Sequence, residues 1–447
     1  MGIAGLSIPA FAAGPRAPSR AGFTVDTPDT SLDHFFGQMA DSTDTYFGRT
    51  AAPRDTAGLD SSLDANLAAP ARVKPFEKLH LDWSPVLRFN RVESGVYGAG
   101  FGFGRRREWG RLSGDLAYAS GLKTGVGGGE WQRVRGTDER RWAFQVAGGK
   151  RTEVMDRVRP ETVDDLAPWL GAATGGFDTR QFLSRSGFAV RAGRLMPTWR
   201  AAAGWRDELE SGLDVHTFWN LAGAALLDSS NVRATRGRAR EAAFSLWGRA
   251  PHLPIYGEIS YRTSRRALGS DFEYRLMRIA AGADLGIGRW SALVPQVLYG
   301  RLTGDALPQG SFFLDRSRVL NTRLADPLGG SRIALGRLDW IGTRDVLALA
   351  HLPHPAMFPI QASGFTAAGA AWGADPFGGP SRPGGNWPDS NAWSSEAGFG
   401  LIWQSGIPDP TTMARFSVAW PLDGRPAVGH MTFTITRALF LVQPPDR

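Results

Sequence analysis

Gly98, Gly100, Gly102 and Gly104 stand at alternate positions, and glycine-rich loops can cradle phosphates through their backbone N–H groups. A phosphate loop opens onto a helix, whereas the basic run Arg105–Arg107 follows here. Alternate glycines better fit a strand with one face kept clear for a neighbour or a lumen. His351 and His354 form a second candidate, a pair of imidazoles for a metal ion. Pro353 and Pro355 deny them a helix and no third ligand lies nearby, so a turn is the better reading. No metal site and no cofactor is expected. The absence of Cys excludes a thiol nucleophile, a zinc ribbon, an Fe–S cluster and a disulfide scaffold. No Gly-x-Ser-x-Gly elbow occurs and no catalytic residue is assigned. A hydrolase with Ser or Asp and His at the rim of a barrel stays open, because seven scattered His cannot define a spatial triad.

The elements that carry these residues alternate with period two from about Leu79. Tyr97, Ala99, Phe101 and Phe103 share a face opposite the four glycines. Leu112, Leu116 and Tyr118 oppose Ser113, Asp115 and Ala117; Trp142, Phe144 and Val146 oppose Ala143, Gln145 and Ala147. The same pattern recurs at Ile255–Arg262, Arg415–Trp420 and Met431–Thr436, and it means half-buried strands. The apolar face carries aromatic residues near strand ends, at Tyr118, Trp142, Tyr261 and Trp420, while the other face mixes Gly, Ala, Ser, Thr and an occasional charge. That combination fits an outward lipid face with aromatic girdles and a polar lumen lined by small residues. A soluble β-propeller would need a blade repeat of ~40–50 residues, and no such repeat is found. No stretch reaches ~18 consecutive apolar residues, which excludes a helical membrane protein.

The expected fold is therefore all-β, a transmembrane antiparallel barrel. Residues 84–441 at roughly 22 per strand and its share of loops give about 16 strands. Thr152–Thr179 and Asp375–Trp393 read as long outer loops, the latter rich in Gly, Pro and Asn. Gly2–Ala13 resembles the apolar region and Ala-x-Ala end of a secretory signal, although it lacks a basic start, so residues 1–13 are read as a signal remnant. Residues 14–78 form a low-complexity extension with one short helix at Ser31–Ala40, residues 79–441 the barrel, and residues 442–447 a tail. Of 51 basic residues 47 are Arg, interspersed with 43 acids, so no nucleic-acid partner is expected. Arg in headgroup regions or water is the plain reading; lumen Arg such as Arg191 and Arg262 could instead hold an inner loop through carboxylates. The expected partners are outer-membrane lipids and lipopolysaccharide, with the oligomeric state left open.

Three stretches in order resemble the bacterial surface-antigen family of BamA/TamA-type assembly and translocation barrels. Arg88-Phe89-Asn90-Arg91-Val92-Glu93 resembles that family's opening Arg-Tyr-Asn-Arg-Val-Glu-Gly. Gly304–Pro308, Phe312–Leu314 and Arg332–Trp340 resemble the strand, loop and strand around its long sixth outer loop. Gly398–Trp403, Arg415–Leu422 and His430–Phe440 resemble its last strands. The family's sixth loop carries an Arg that folds into the lumen to meet a carboxylate. Here Asn321 and Thr322 stand where Arg and Gly would, so Arg318 or Arg323 takes over, toward Asp339, or the lock is lost. The residues upstream are too few and too weakly patterned for a POTRA domain. The resemblance implies an outer-membrane location in a Gram-negative-type bacterium. It also implies a weak seam between the first strand, with Phe89, Asn90 and Arg91, and the last, with Phe433 and Ile435, which could template an unfolded client protein by β-augmentation. The alternative is a closed barrel serving as passive pore or structural anchor.

Overall fold

The computed structural model describes residues 81–105, 109–137, 140–155, 180–216, 231–288, 290–314, 320–323, 328–352, 360–404 and 413–436. The signal remnant, the N-terminal extension with its Ser31–Ala40 helix, and the C-terminal tail lie outside the described residues. The described strands are β1 (Leu81–Asn90), β2 (Ser94–Arg105), β3 (Gly110–Ala119), β4 (Thr124–Thr137), β5 (Arg140–Val154), β6 (Phe182–Leu195) and β7 (Trp199–Gly212). They continue with β8 (Gly237–Arg249), β9 (Ile255–Ser264), β10 (Tyr274–Ala283), β11 (Leu285–Ile287) and β12 (Ser291–Gly304). After a small loop hairpin, β13 (Phe312–Leu314) with β14 (Leu328–Gly330), come β15 (Arg332–Asp345), β16 (Ile360–Trp372), β17 (Ser394–Gln404), β18 (Met413–Pro421) and β19 (His430–Thr436). β11 prolongs β10 along β12, so the two make one stave. With the hairpin set aside, sixteen staves remain, each antiparallel to its neighbour in sequence from β1–β2 to β18–β19. Among the described residues no ladder joins β1 to β19.

The distribution of the side chains inverts that of a water-soluble sheet. Leu116 is 73% exposed and Val297 58%, whereas Arg185 is 2% exposed and Asp339 1%. Tyr97, Phe101, Trp142, Phe144, Phe188, Phe244, Ile259, Phe399 and Met431 share the exposed face across the strands. Only a lipid environment makes that arrangement favourable, because apolar side chains facing water would forfeit their burial free energy. The protein is a membrane-spanning β-barrel in type, its sheet open at one seam among the described residues.

Short connections join the strands at one end, such as 196–198 between β6 and β7 and 250–254 between β8 and β9. The long ones, including 305–331 between β12 and β15 and 373–393 between β16 and β17, gather at the other, which is the outer end by the usual rule. Among the eight connections at that end, 305–331 is the sixth. The largest apolar core lies inside the barrel. Inward-facing Leu276, Leu298, Leu302, Ile333, Leu335 and Ala367 pack against Phe312, Leu314, Leu320 and Leu328 of the sixth connection. The expectation of a lumen lined by small polar residues therefore fails on the β8–β16 side, where an apolar wall receives a folded-in loop.

Candidate functional site

The opening signature forms the first outer turn. Asn90 Oδ1 accepts from the N–H groups of Val92 (3.0 Å) and Glu93 (2.7 Å), and Asn90 Nδ2 donates to Glu93 Oε2 at 2.6 Å. Arg88 holds the same carboxylate through two hydrogen bonds of 3.2 and 2.9 Å. Arg91 reaches over to donate to the carbonyl of Arg180, and the N–H of His216 donates to the Arg91 carbonyl. Asn90 and Arg91, expected as seam residues, are buried; Asn90 fastens the first outer turn, and Arg91 ties that turn to the third and fourth outer connections. Phe89 and the β19 residues Phe433 and Ile435 do lie on the two terminal strands.

The seam edge of β1 follows from hydrogen-bond parity. Gly95 donates to Ser120 Oγ and accepts from Ser120 N–H, so its backbone groups point away from β1. Its register partner Phe89 is then a non-hydrogen-bonded position, as are Leu87, Pro85 and Trp83 two, four and six residues back. These four residues turn their backbone groups to the seam. Pro85 has no N–H, so the edge lacks one donor in its middle, and proline is tolerated in sheets at such an edge.

The sixth outer connection is anchored in two ways. Phe312 and Leu314 are fully buried in the apolar wall. Along β17, Thr322 N–H donates to Glu396 Oε2 at 2.8 Å, and Arg323 donates to Ser394 Oγ (3.1 Å from Nε). Asn321 is buried beside them. The carboxylate that meets the loop is thus Glu396, met by a backbone N–H. Asp339, the expected partner, is held by strand residues: Arg337 through two bonds of 2.7 and 2.9 Å, and Arg415 at 2.9 Å. Both guanidiniums also lie on the Phe365 ring, at 4.5 and 4.7 Å. Arg318 lies outside the described residues.

Arg425, in the last outer connection, clamps the same loop by donating to the Thr322 carbonyl (3.1 Å) and hydroxyl (3.0 Å), and Asp423 holds Arg425 at 2.7 Å. Burial pushes the Asp423 carboxyl up, but the hydrogen bond and charge of Arg425 and the Ser395 N–H outweigh it and hold the group below the ordinary carboxylate value. A carboxylate depressed by folding stabilises above its unfolded pKa and loses that contribution as pH falls through its folded pKa. Protease cleavage of the sixth connection in the folded barrel is therefore expected to stay slow down to the ordinary carboxylate range and to rise only below it. Asp423→Asn should cleave faster at neutral pH and lose the acid step; a step retained in that variant would assign it to another group.

A second charged ladder crosses β5 to β10 inside the outer half of the lumen. Arg185 engages Glu153 and Glu210 (2.9 Å to the latter), and Arg206 engages Glu208 (3.2 Å) and Glu241 (3.3 Å), to which the Tyr274 hydroxyl also donates. Arg191 and Arg262 also face the lumen by register. On the outside, the connection 373–393 folds down over the wall. Trp372 faces outward yet is fully buried, donating to the Gly385 carbonyl at 3.1 Å, and the Tyr299 hydroxyl reaches the Asn386 carbonyl. His351 sits in the turn after the short helix Val346–Leu349, and His354 lies outside the described residues. Glu396, Pro85 and the Arg337–Asp339–Arg415 cluster escape sequence reasoning, although Arg337 and Asp339, two apart, already share a strand face.

No protein-family model and no curated protein matches the chain. Among solved structures, it is similar to BamA from Haemophilus ducreyi lacking POTRA domains 1–3, at 11% identity and a TM-score of 0.45, over 85% of this chain and 78% of that one. CdiB from Escherichia coli is similar at 10% identity and a TM-score of 0.43, over 81% and 67%. Pseudomonas aeruginosa OpdK with vanillate is similar at 13% identity and a TM-score of 0.34, over 78% and 95%. Likenesses this distant are of barrel outline alone and do not choose between the activities of those proteins.

Proposed function

We propose that this chain is an outer-membrane barrel that inserts or translocates protein clients through the β1–β19 seam. The observation that carries the reading is the seam itself, with no ladder across it among the described residues and a proline at mid-edge of β1. An unpaired edge can accept a strand of another chain by backbone hydrogen bonding. The resemblance of residues 88–93 and of the last strands to the surface-antigen family supports it. Its Gram-negative-type outer-membrane location rests on the exposed apolar girdle and on the same resemblance.

Paired cysteines at Phe89 and Phe433, positions on the two terminal strands, test the idea. Crosslinking is expected to stop growth of a strain that depends on the protein, with reduction restoring it. Normal growth with the seam fully crosslinked would sink the proposal. A passive pore is the second reading, favoured by the charged ladder along the β5–β8 wall. It requires steady conductance in planar bilayers, and a silent bilayer with folded protein argues against it.

A further inference from the structure

We propose that the outer rim over β10, β12 and β15 binds the phosphate groups of an outer-leaflet phosphorylated glycolipid, lipopolysaccharide. The proposal rests on the outer-membrane reading above. Arg275, Arg301 and Arg332 all face outward by register, with Arg275 opposite Thr303 and Arg301 directly opposite Arg332. Like charges directly opposed on neighbouring strands repel. Among the described residues none of the three forms an ion pair; Arg301 has the Asn386 side chain at 3.4 Å and Arg332 the Gly385 carbonyl. The outward arginines of β8 contrast with them, since Arg238 and Arg240 both engage Asp207. The nearby acid Asp305 is engaged by Arg266 and by the Glu273 N–H.

Position selects the ligand. Arg301 stands four residues, roughly 13 Å at strand rise, above the exposed Val297, and Ile279, Leu338 and Trp340 continue that apolar belt on the flanking strands. Tyr299, two residues below Arg301, packs beneath the connection 373–393, whose Gly385 and Asn386 border the site. The three guanidiniums therefore sit where headgroups begin, at the outer end. A guanidinium binds phosphate bidentately, and an anion between Arg301 and Arg332 relieves their repulsion. On β1 to β7 the described outward cation in the outer half is Lys150, so the feature belongs to one side of the barrel.

The test titrates folded protein in detergent with purified lipopolysaccharide, reading bound lipid by native mass spectrometry. The triple variant Arg275→Gln, Arg301→Gln, Arg332→Gln is expected to bind about tenfold more weakly, near 1.4 kcal/mol, and dephosphorylated lipopolysaccharide should bind the wild type equally weakly. The control Arg133→Gln, Arg135→Gln, Lys150→Gln removes the same charge elsewhere and should bind as the wild type does. Equal binding by wild type and triple variant overturns the site, as does equal competition by phosphatidylglycerol vesicles. Arg275→Gln alone, which breaks no side-chain contact among the described residues, serves if the triple variant fails to fold, and undiminished binding there also overturns the site. A wild type whose gel mobility is the same boiled and unboiled overturns the barrel reading as well, whereas a heat-modifiable wild type indifferent to lipopolysaccharide overturns the site alone.

Discussion

Asp339→Ala is expected to destabilise the folded barrel by about 3–5 kcal/mol, the range for stripping one partner from a buried ion pair. The carboxylate is 1% exposed and is the shared partner of two guanidiniums that are themselves buried. Its loss would leave Arg337 and Arg415, both beside the Phe365 ring, without the carboxylate they share. Their attraction to the ring, about 2 kcal/mol or somewhat more when desolvated, does not remove the repulsion between the two cations that the carboxylate offsets. The measurement is urea unfolding followed by the mobility of unboiled protein on a gel, and an unchanged midpoint refutes the prediction.

Two companions separate charge from shape. Arg415→Gln should cost less, because Arg337 keeps both of its bonds to Asp339. The triple variant Arg337→Met, Asp339→Leu, Arg415→Met should recover much of the loss, since removing all three charges removes their desolvation cost as well. A triple variant as unstable as Asp339→Ala would mean that packing, not charge, sets the effect.

The strands were legible because lipid and lumen impose opposite demands on alternate residues, as in Trp142, Phe144 and Val146 against Ala143, Gln145 and Ala147. Counting residues per stave reached sixteen for the same reason. The apolar lumen wall was not legible. In β12, inward Leu298 alternates with outward Val297 and Tyr299, so both faces are apolar and the pattern vanishes. The role of Glu396 was hidden because its partner is a backbone N–H 74 residues away, and every residue except proline offers one. Pro85 was visible as a residue, but its meaning required knowing which β1 backbone groups point away from β2. Asn90 and Arg91 carry the family resemblance, yet their contacts lock a turn, so a matched motif located the first strand without revealing what its side chains do.

Gly300→Leu is expected to expel the sixth outer connection from the lumen while sparing the sixteen-strand ladder. Gly300 faces inward between Arg278 and Ile333, and a Cβ there would lie 2.4 and 2.5 Å from the Phe312 ring and 2.8 Å from Ile333 Cγ2. Overpacking of this kind costs about 1–3 kcal/mol, less than a barrel ladder but enough to free a two-strand loop hairpin. Cleavage of the folded protein within 305–331 should rise about tenfold as local opening becomes easier. Conductance through the barrel should rise with it, because Phe312, Leu314, Leu320 and Leu328 fill that half of the lumen. Phe312→Ala added to Gly300→Leu restores room and should reverse both effects in part, which general damage to the barrel would not allow. Faster cleavage without added conductance would place the barrier to solutes elsewhere in the lumen. Unchanged cleavage would show that Phe312 does not seat against Gly300.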